Sequence, residues 1–314
     1  MEYIIGIDLG GTTAKAGIFT KTGVLQHKWE IPTDISDAGK NIIPNLVAGI
    51  RSMMGQRGIA ESDLLGIGFT VPGAVVRHSF VAPCVNLNNW GGFEVSSVFS
   101  NLINKPVVLI NDANAAAMGE FWQGGAKDYQ NMIFITLGTG VGGGVVINGQ
   151  LLEGPHGCAG EIGHIHVKDG EQRTCGCGRH GCLEQYCSAT GIVAVTKQNM
   201  ARCSTPSSLR ALPEVSCKAI FDAAKAGDAF ATEQVDLFAD TLGQALASVA
   251  CVCDTDVYVL GGGVSKAGSI ITEKVKAAYE RYCFPALHGV AIRLAELGND
   301  AGMYGAAKMV IDQL

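Results

Sequence analysis

The stretch that decides the fold is "IIGIDLGGTTAKAGIFTKTGVL", residues 4–25. It predicts a β-strand, a glycine turn, a second strand and a hairpin turn at "KTG". A second stretch, "MIFITLGTGVGGGVVINGQL" at 132–151, has the same order, and its "NG" predicts the equivalent hairpin turn. Superposing the two stretches places Gly10 on Gly138. The sequence therefore predicts a chain that repeats one structural unit.

The two halves also share a later feature. Each contains an apolar strand that leads into small residues and a helix, at 107–121 and at 257–270, and we treat these two segments as equivalent. Apolar residues recur at helical spacing in three further segments, 38–54, 231–253 and 301–314. The alternation of strands and helices predicts an α/β protein. Two copies of one unit that face each other predict a cleft lined by the glycine turns.

The repeat sets the expected domain limits. Residues 1–116 are predicted to form an N-terminal α/β domain, and residues 117–298 a larger C-terminal α/β domain. The last segment, 299–314, is predicted to be a helix that packs back on the N-terminal domain.

Composition narrows the class of partner and the compartment. The formal net charge of -6 argues against a nucleic-acid or membrane partner, each of which needs a basic face, so a small molecule is expected. The start of the chain, "MEYIIGIDL", has no signal-peptide pattern, and 11 scattered cysteines suit reduced thiols in the cytoplasm. Residues 129–152 are uncharged and as long as a membrane span, but their "LGTGVGGG" predicts two buried strands around a turn.

Three glycine turns are candidates for phosphate binding, because free N–H groups in such turns form anion-binding nests. The turns contain Gly10, Gly11 and Thr12; Gly138, Thr139 and Gly140; and Gly261, Gly262 and Gly263. Asp8, at the end of the first strand, is a candidate for holding Mg²⁺ through water. A tight hairpin without a ligand is the alternative for any single turn. Their recurrence at equivalent places favours phosphate binding.

Asn111 and Asp112 stand where a strand ends and a helix begins, in "INDANAAAMGEF". Capping of the helix is one explanation. The other is catalytic, because a carboxylate at the edge of a cleft can accept the proton of a hydroxyl that attacks a phosphoryl group.

A histidine and three cysteines form the remaining motif, "GHIHVKDGEQRTCGCGRHGCLEQY" at 163–186. His164, Cys175, Cys177 and Cys182 have the donor set of a closed tetrahedral zinc site. A redox pair is the alternative, although the segment has no C-x-x-C spacing.

These motifs together resemble the ROK family of bacterial sugar kinases. The resemblance rests on "DLGGTTAK" at 8–15, "LGTGVGGG" at 137–144, "GEIGH" at 160–164 and "CGCGRHGCLE" at 175–184, and it covers nearly the whole chain. "TVPGAV" at 70–75 and "VNLNNW" at 85–90 are similar to the glucokinase branch, although Val85 stands where that branch often has proline. The resemblance implies a duplicated ribonuclease-H-like fold of the actin, hexokinase and heat-shock-70 superfamily, with an interdomain cleft.

The resemblance also implies residue roles. Asp112 would be the general base, and Gly73, Asn111, Glu161, His164 and Glu184 would bind sugar hydroxyls. The three glycine turns would hold ATP, with Asp8, Thr12, Lys15 and Thr139 nearby and with Mg²⁺. His164 and the three cysteines would bind a structural zinc ion.

The implied activity is phosphorylation of the 6-hydroxyl of a hexose by ATP, with glucose as the first choice. An N-acetylmannosamine or N-acetylglucosamine kinase is the alternative, and a noncatalytic sugar sensor is a third hypothesis. ROK repressors carry a DNA-binding segment before the first phosphate strand, which begins here by residue 3, so a repressor is not expected. A homo-oligomer, either a dimer or a tetramer, is expected.

Overall fold

The computed structural model describes residues 1–314, apart from the side chain of Asn86 in the "VNLNNW" motif. In chain order the strands are β1 Tyr3–Leu9, β2 Thr13–Thr20, β3 Leu25–Pro32, β4 Leu64–Val71, β5 Val75–Val76, β6 Phe80–Val81, β7 Phe93–Glu94, β8 Val107–Asn111, β9 Met132–Leu137, β10 Val141–Ile147, β11 Gln150–Leu152, β12 Val257–Gly261 and β13 Ala291–Leu294. The α-helices are α1 Ile42–Gln56, α2 Val95–Ile103, α3 Asp112–Gln123, α4 Glu184–Cys187, α5 Ala189–Arg202, α6 Cys217–Lys225, α7 Ala229–Cys253, α8 Gly262–Ser265, α9 Ser269–Tyr282 and α10 Ala301–Ile311.

Two five-stranded sheets have the same topology. Their strand orders are β3-β2-β1-β4-β8 and β11-β10-β9-β12-β13. In each sheet an antiparallel pair, β1 with β2 or β9 with β10, is followed by two parallel neighbours. The predicted "NG" turn is present, since Asn148 and Gly149 have φ values of 52° and 75°, as a type I′ turn requires. The duplication is therefore a property of the fold.

One of the predicted equivalences is wrong. We equated 107–121 with 257–270, but β8 is the edge strand of its sheet, whereas β12 is the inner neighbour of β9. The strand order matches β12 with β4, and β8 with β13. The sequence pattern does not distinguish these two positions, because an apolar strand followed by small residues occurs at both the edge and the interior of a sheet.

The chain divides into two compact units. Unit 1 contains 1–127, 151–159 and 299–314, and unit 2 contains 128–150 and 160–298. The predicted limit between residues 116 and 117 lies inside helix α3, all of which belongs to unit 1. Helix α10 follows β13, the last strand of the unit 2 sheet, along the chain, but α10 belongs to unit 1.

The sheet of unit 1 approaches helix α10 closely because glycines face the helix. Gly6 and Gly68 are register partners on the parallel strands β1 and β4. A Cβ atom at Gly6 would lie 2.1 Å from the Met303 carbonyl oxygen, and one at Gly68 would lie 1.8 Å from that of Ala306. The opposite face of β1 presents apolar side chains to a second core layer with α1 and α2. This packing fixes β1, whose carboxyl end carries Asp8 and the first glycine turn.

The core of unit 2 is built on helix α7, which packs against α6 and α9. By length and composition alone α7 could cross a membrane, but half of its most apolar window is buried among other residues of the protein. It is therefore packed as a core helix. The uncharged segment 129–152 forms the two predicted strands around the glycine turn, β9 and β10, and a third short strand, β11, follows them.

Replacement of Gly68 by alanine tests the close packing of α10. The added methyl group would overlap the backbone of Ala306, so Gly68→Ala is expected to lower the free energy of unfolding by about 1–3 kcal/mol or more. Gly55→Ala in α1 is the control, since a Cβ there meets nothing within 4 Å. Denaturant titration of both variants and the parent measures the difference in the free energy of unfolding. Equal stability of Gly68→Ala and the parent would contradict the packing.

Candidate functional site

The polar residues of unit 1 gather at the carboxyl ends of three parallel strands. Asp8 is the last residue of β1 that pairs with β4, where its partner is Thr70. Asn111 is the last residue of β8. The hydroxyl group of Thr70 donates a hydrogen bond of 2.6 Å to Asp8 Oδ1. In α/β sheets the carboxyl ends of parallel strands are where ligands bind.

The helix cap at this edge is Asn111. Its Oδ1 accepts hydrogen bonds from the backbone N–H groups of Ala113 and Asn114, at 2.9 and 3.2 Å. Its Nδ2 donates to Oδ1 of Asp112 at 3.0 Å. Oδ1 of Asp112, the first residue of α3, also accepts from the N–H of Ala113, at 2.8 Å. Because Asn111 already binds this N–H as the cap, capping alone does not require a carboxylate at residue 112.

The carboxylate of Asp112 is poised to exchange a proton near neutrality. Burial raises its pKa to about 6, against the backbone N–H of Ala113, which lowers it, and the nearby Asp8 carboxylate raises it further. The residue is solvent-accessible, yet surrounding protein atoms displace much of the water that would stabilise its charge. An accessible carboxylate with a pKa in this range suits a general base.

Gly73 has a positioning contact in this unit. Its carbonyl oxygen accepts a hydrogen bond of 3.1 Å from Asn111 Nδ2, which fixes the cap and its neighbour Asp112. A Cβ at this position would lie 2.6 Å from the sulfur of Cys84, so the "PG" turn has room only for glycine.

The first glycine turn joins β1 to β2. The N–H of Gly10 donates to the carbonyl of Thr13 at 3.1 Å, and the Thr33 hydroxyl donates to the carbonyl of Gly10 at 2.8 Å. Gly11 and Thr12 are exposed at its tip. Lys15 lies opposite Asp8 in the register of β1 and β2 and donates to the carbonyl of Asn299 at 3.1 Å. The turn thus lies beside a carboxylate and an ammonium group.

The second glycine turn joins β9 to β10 and is tied to Glu184. Oε2 of Glu184 accepts a hydrogen bond of 2.9 Å from the N–H of Val141. A Cβ at Gly140 would lie 2.3 Å from this oxygen, so the carboxylate reaches the turn only because residue 140 is glycine.

A helix N-terminus lies against the same turn. The N–H of Ala189, the first residue of α5, donates to the carbonyl of Gly138 at 2.8 Å, and the Thr190 hydroxyl donates to that of Thr139 at 2.7 Å. Ser188 caps α5 by accepting from the N–H of Gly191 at 2.9 Å. A capped helix N-terminus beside a glycine turn is a favourable place for an anion.

The loop at 163–186 is closed by backbone pairing. Val167 donates to Gly181 and Leu183 to Ile165, at 2.7 and 2.8 Å. A tighter turn within it is closed by the N–H of Cys175, which donates to the carbonyl of Arg179 at 2.7 Å. These bonds bring the three sulfurs and His164 together.

The four predicted metal donors lie within 4.8 Å of one another. The sulfurs of Cys177 and Cys182 are 3.7 Å apart, and Nδ1 of His164 lies 3.6 Å from the sulfur of Cys175. Tetrahedral zinc, with Zn–S near 2.3 Å and Zn–N near 2.05 Å, requires edges of about 3.8 Å between sulfurs and about 3.6 Å from sulfur to nitrogen. The donor set fits zinc.

The two acidic residues near this cluster are linked to it. Nε2 of His164 faces Oε2 of Glu161 at 3.9 Å, on the opposite side of the ring from Cys175. The thiol of Cys175 contacts Oε1 of Glu184 at 3.7 Å. Glu161, His164 and Glu184 therefore form one connected group, which continues through Glu184 to the second glycine turn.

The third glycine turn follows β12 and borders a recess of about 370 Å³ in unit 2. Its lining includes Gly263 and Val264 after β12, and Phe221 and Lys225 of α6. Ala189 at the start of α5 also lines it. The recess thus begins where the second glycine turn meets α5.

With this geometry established, comparison with known proteins decides the family. The sequence profile of the ROK family matches residues 4–313. The chain belongs to the ROK family. The predicted family and the predicted duplicated α/β fold are confirmed.

Two similar proteins are kinases that are named for different sugars. The chain is 40% identical to a glucokinase of Halalkalibacterium halodurans, over 99% of this chain and 96% of that protein. It is 33% identical to an N-acetylmannosamine kinase of Yersinia pseudotuberculosis, over 96% of each.

Two solved ROK structures are similar over their whole length. A ROK hexokinase from Thermus thermophilus has a TM-score of 0.85 and 31% identity, over 99% of this chain and 100% of that one. A ROK family glucokinase from Streptomyces griseus, in complex with glucose and AMPPNP, has a TM-score of 0.74 and 31% identity, over 98% of each chain.

Some residues that support this candidate site were missed by the sequence analysis. Thr70 holds Asp8, Ser188 caps α5, and the buried Gln185 ties the loop at 163–186 together by accepting from the N–H of Cys182 and donating to the carbonyl of Arg173, at 3.1 and 2.7 Å. Ser188 carried a detectable signal, because serine directly before a helix is a typical cap. Thr70 and Gln185 act over distances in sequence that no local pattern reveals.

Alanine at Gly140 tests the contact between Glu184 and the second glycine turn. The methyl group would displace the carboxylate from the Val141 N–H, and loss of this hydrogen bond to a charged group is expected to lower the free energy of unfolding by about 1.5 kcal/mol. Thermal and denaturant unfolding measure the loss. Gly138→Ala is the matched control, because its Cβ would lie 4.0 Å from the nearest atom. If both variants unfold alike, Glu184 is not constrained by this turn.

Proposed function

We propose that this chain is an ATP-dependent hexose kinase that phosphorylates the 6-hydroxyl of glucose. The glucokinase relative at 40% identity over nearly the whole of both chains supports this. So does the similarity to a ROK glucokinase whose structure holds glucose and an ATP analogue.

The observation that carries the proposal is the carboxylate of Asp112, which is accessible, not needed as the cap and has a pKa near 6. In the proposed step it accepts the proton of the sugar 6-hydroxyl while that oxygen bonds to the γ-phosphorus of ATP. The bond from this phosphorus to the bridging oxygen breaks, and ADP leaves. Asn111 orients Asp112 and also contributes to binding of the sugar.

We assign ATP to the glycine turns. The phosphates would be bound by N–H groups of the turns at Gly10–Thr12 and Gly138–Gly140, where α5 adds its positive N-terminal end. The recess of about 370 Å³ beside Gly263 would hold the adenosine, with Phe221 providing an apolar contact. Lys15 would neutralise phosphate charge.

Mg²⁺ would accompany ATP, and Asp8 fits it. Burial raises the pKa of this carboxyl, which indicates a charge in need of compensation, and Lys15 and Thr70 supply part of it. Mg²⁺ in kinases screens charge on the phosphates, and it commonly binds through one or two carboxylates and several waters.

The remaining sugar hydroxyls are assigned to Glu161, His164 and Glu184, with Gly73 as a positioning residue or a direct contact. Zinc would be held by Nδ1 of His164 and by Cys175, Cys177 and Cys182, where it would act as a structural cross-link. Ligation through Nδ1 leaves Nε2 of His164 free for a hydroxyl group on the side where Glu161 lies.

An N-acetylmannosamine kinase is the second candidate, because a relative with that name is 33% identical over 96% of both chains. The higher identity to a glucokinase favours glucose. The ratio of kcat/KM for glucose and for N-acetylmannosamine decides between them.

The setting we propose is that of a cytoplasmic enzyme with small-molecule partners, assembled as a dimer or tetramer. The net charge of -6 and the buried packing of α7 suit this setting. Size-exclusion chromatography with light scattering measures the assembly.

Replacement of the base gives the sharpest test of the mechanism. Asp112→Asn keeps size and hydrogen bonding but cannot accept the proton, so kcat is expected to fall on the order of 10²–10⁴ fold, with sugar Kd little changed. In the parent, activity should decline below the Asp112 pKa of about 6, because the protonated carboxyl is no longer a base. The residual activity of the variant should lack this acid limb. Near-normal kcat in folded Asp112→Asn would return Asp112 to a structural role.

The same variant tests the raised pKa through stability. Since folding raises this pKa from 3.8 to about 6, the folded state favours the protonated carboxyl, and the stability it contributes is full at acid pH and lost as pH rises through about 6. Asp112→Asn should therefore gain stability relative to the parent between pH 4 and pH 7. A constant difference across this range would contradict the shift.

Loss of one thiolate tests the zinc assignment. Cys177→Ser is expected to lose tightly bound zinc, because a serine hydroxyl is a poor zinc ligand at neutral pH. The fold should survive, since unit 2 has its own large core. Sugar Kd should rise much more than ATP Kd, because the metal loop carries His164 and lies beside Glu161. Cys158→Ser, at an exposed cysteine in the other unit, is the control. Zinc-free Cys177→Ser with an unchanged sugar Kd would show that this group does not bind the sugar.

A further inference from the structure

A second group of metal-binding side chains lies in unit 2 at the end of helix α9. Glu280 is in the last turn of α9, Cys283 is its C-cap, and His288 follows a short 3-10 helix at Pro285–Leu287. One donor atom from each of the three residues lies within 4.8 Å of the others. None of these residues has a role in the proposed kinase reaction.

The donor atoms have the right separation for one ion. Nδ1 of His288 and Oε2 of Glu280 are 3.6 Å apart. A tetrahedral zinc ion with Zn–N near 2.05 Å and Zn–O near 2.1 Å needs about 3.4 Å between these two ligands. Small side-chain movements would bring them to this distance.

Neighbouring groups hold Glu280 and the short helix that precedes His288 in place. The N–H of Gly289 donates to Oε1 of Glu280 at 3.0 Å, which leaves Oε2 facing His288. The Tyr279 hydroxyl donates to the carbonyl of Leu287 at 3.1 Å, so the short helix stays against α9. His288, which follows this helix, is thereby kept beside Glu280 and Cys283.

The location favours a cation and gives it access. The carboxyl end of a helix has a negative partial charge, and α9 is a helix of 14 residues. Cys283 is buried, whereas the side chains of Glu280 and His288 are 27% and 54% exposed. An ion would therefore reach the group from solvent and keep one coordination position for water.

We propose that Glu280, Cys283 and His288 form a second zinc site. A carboxylate, a thiolate and an imidazole are a donor mixture that suits zinc better than Mg²⁺ or Ca²⁺, which prefer oxygen. With three protein ligands and water, this site exchanges its ion more readily than the closed site at His164. The ion joins the end of α9 to the segment that leads into β13, the edge strand of the sheet of unit 2.

Zinc stoichiometry tests the proposal on the full-length protein. After zinc loading and removal of free ion, the parent should contain two zinc ions per chain, one of them removed by a mild chelator. His288→Ala should contain one, and Cys177→Ser should retain only the chelator-labile ion. His156→Ala, at another exposed histidine, is the matched control and should keep two. Because each variant removes one site, failure of this proposal and failure of the His164 site give different patterns.

Cobalt provides a second readout that does not depend on Cys177→Ser folding. Co²⁺ bound in the parent should show thiolate charge-transfer absorption, and the difference between the parent and His288→Ala should correspond to one thiolate rather than three. Zinc should also raise the melting temperature of the parent above that of His288→Ala, since an ion that binds only the folded state stabilises it. One zinc per chain in the loaded parent that is retained in His288→Ala, or a labile ion that persists unchanged in both His288→Ala and Cys283→Ser, would overturn the proposal.

Discussion

The carboxylate of Glu184 is the interaction on which the candidate site of unit 2 depends. One oxygen accepts the N–H of Val141 at the second glycine turn, and the other contacts the thiol of Cys175 in the loop at 163–186. Gly140 leaves the space that this contact needs. A turn suited to phosphate and a cluster suited to zinc and sugar are thereby neighbours within unit 2. The proposed roles of His164 and Glu161 follow from this link, because the same cluster orients the imidazole between the metal-binding side and the carboxylate of Glu161.

In unit 1, glycine residues and a helix position the polar residues of the candidate site. Gly6 and Gly68 let α10 lie directly on the sheet, and the sheet then aligns the carboxyl ends of β1, β4 and β8. Burial is the main cause of the raised pKa of Asp112, and the Asp8 carboxylate at the same edge raises this pKa further. The strand order contributes to the shift because it brings the two carboxylates to one edge of the sheet. A base near neutrality and a Mg²⁺-binding carboxylate would be products of the same alignment.

Several features of the fold and the candidate site could be predicted from the sequence, and the physical reason differs from one feature to the next. The glycine turns, the "NG" hairpin and the Cys/His cluster depend on local chemistry, so their residues could be identified directly. The equivalence of 107–121 with 257–270 was wrong because strand order is set by long-range pairing, which a local apolar pattern does not contain. The boundary within α3 was misplaced for a similar reason, since α3 and α10 pack through small residues such as Gly119 and Gly305 that lie far apart in the chain. The sequence could place Asn111 at a helix start, but the structure was needed to show that the cap is Asn111 and not Asp112.

Identification of the reaction product tests the central claim most directly. The purified chain, incubated with ATP, Mg²⁺ and glucose, should release ADP in step with the formation of a sugar monophosphate. Phosphorus NMR of that product should show coupling to the protons on carbon 6, which places the phosphoryl group on the 6-oxygen. Formation of ADP and inorganic phosphate without a phosphorylated sugar, for glucose and for N-acetylmannosamine alike, would contradict the account.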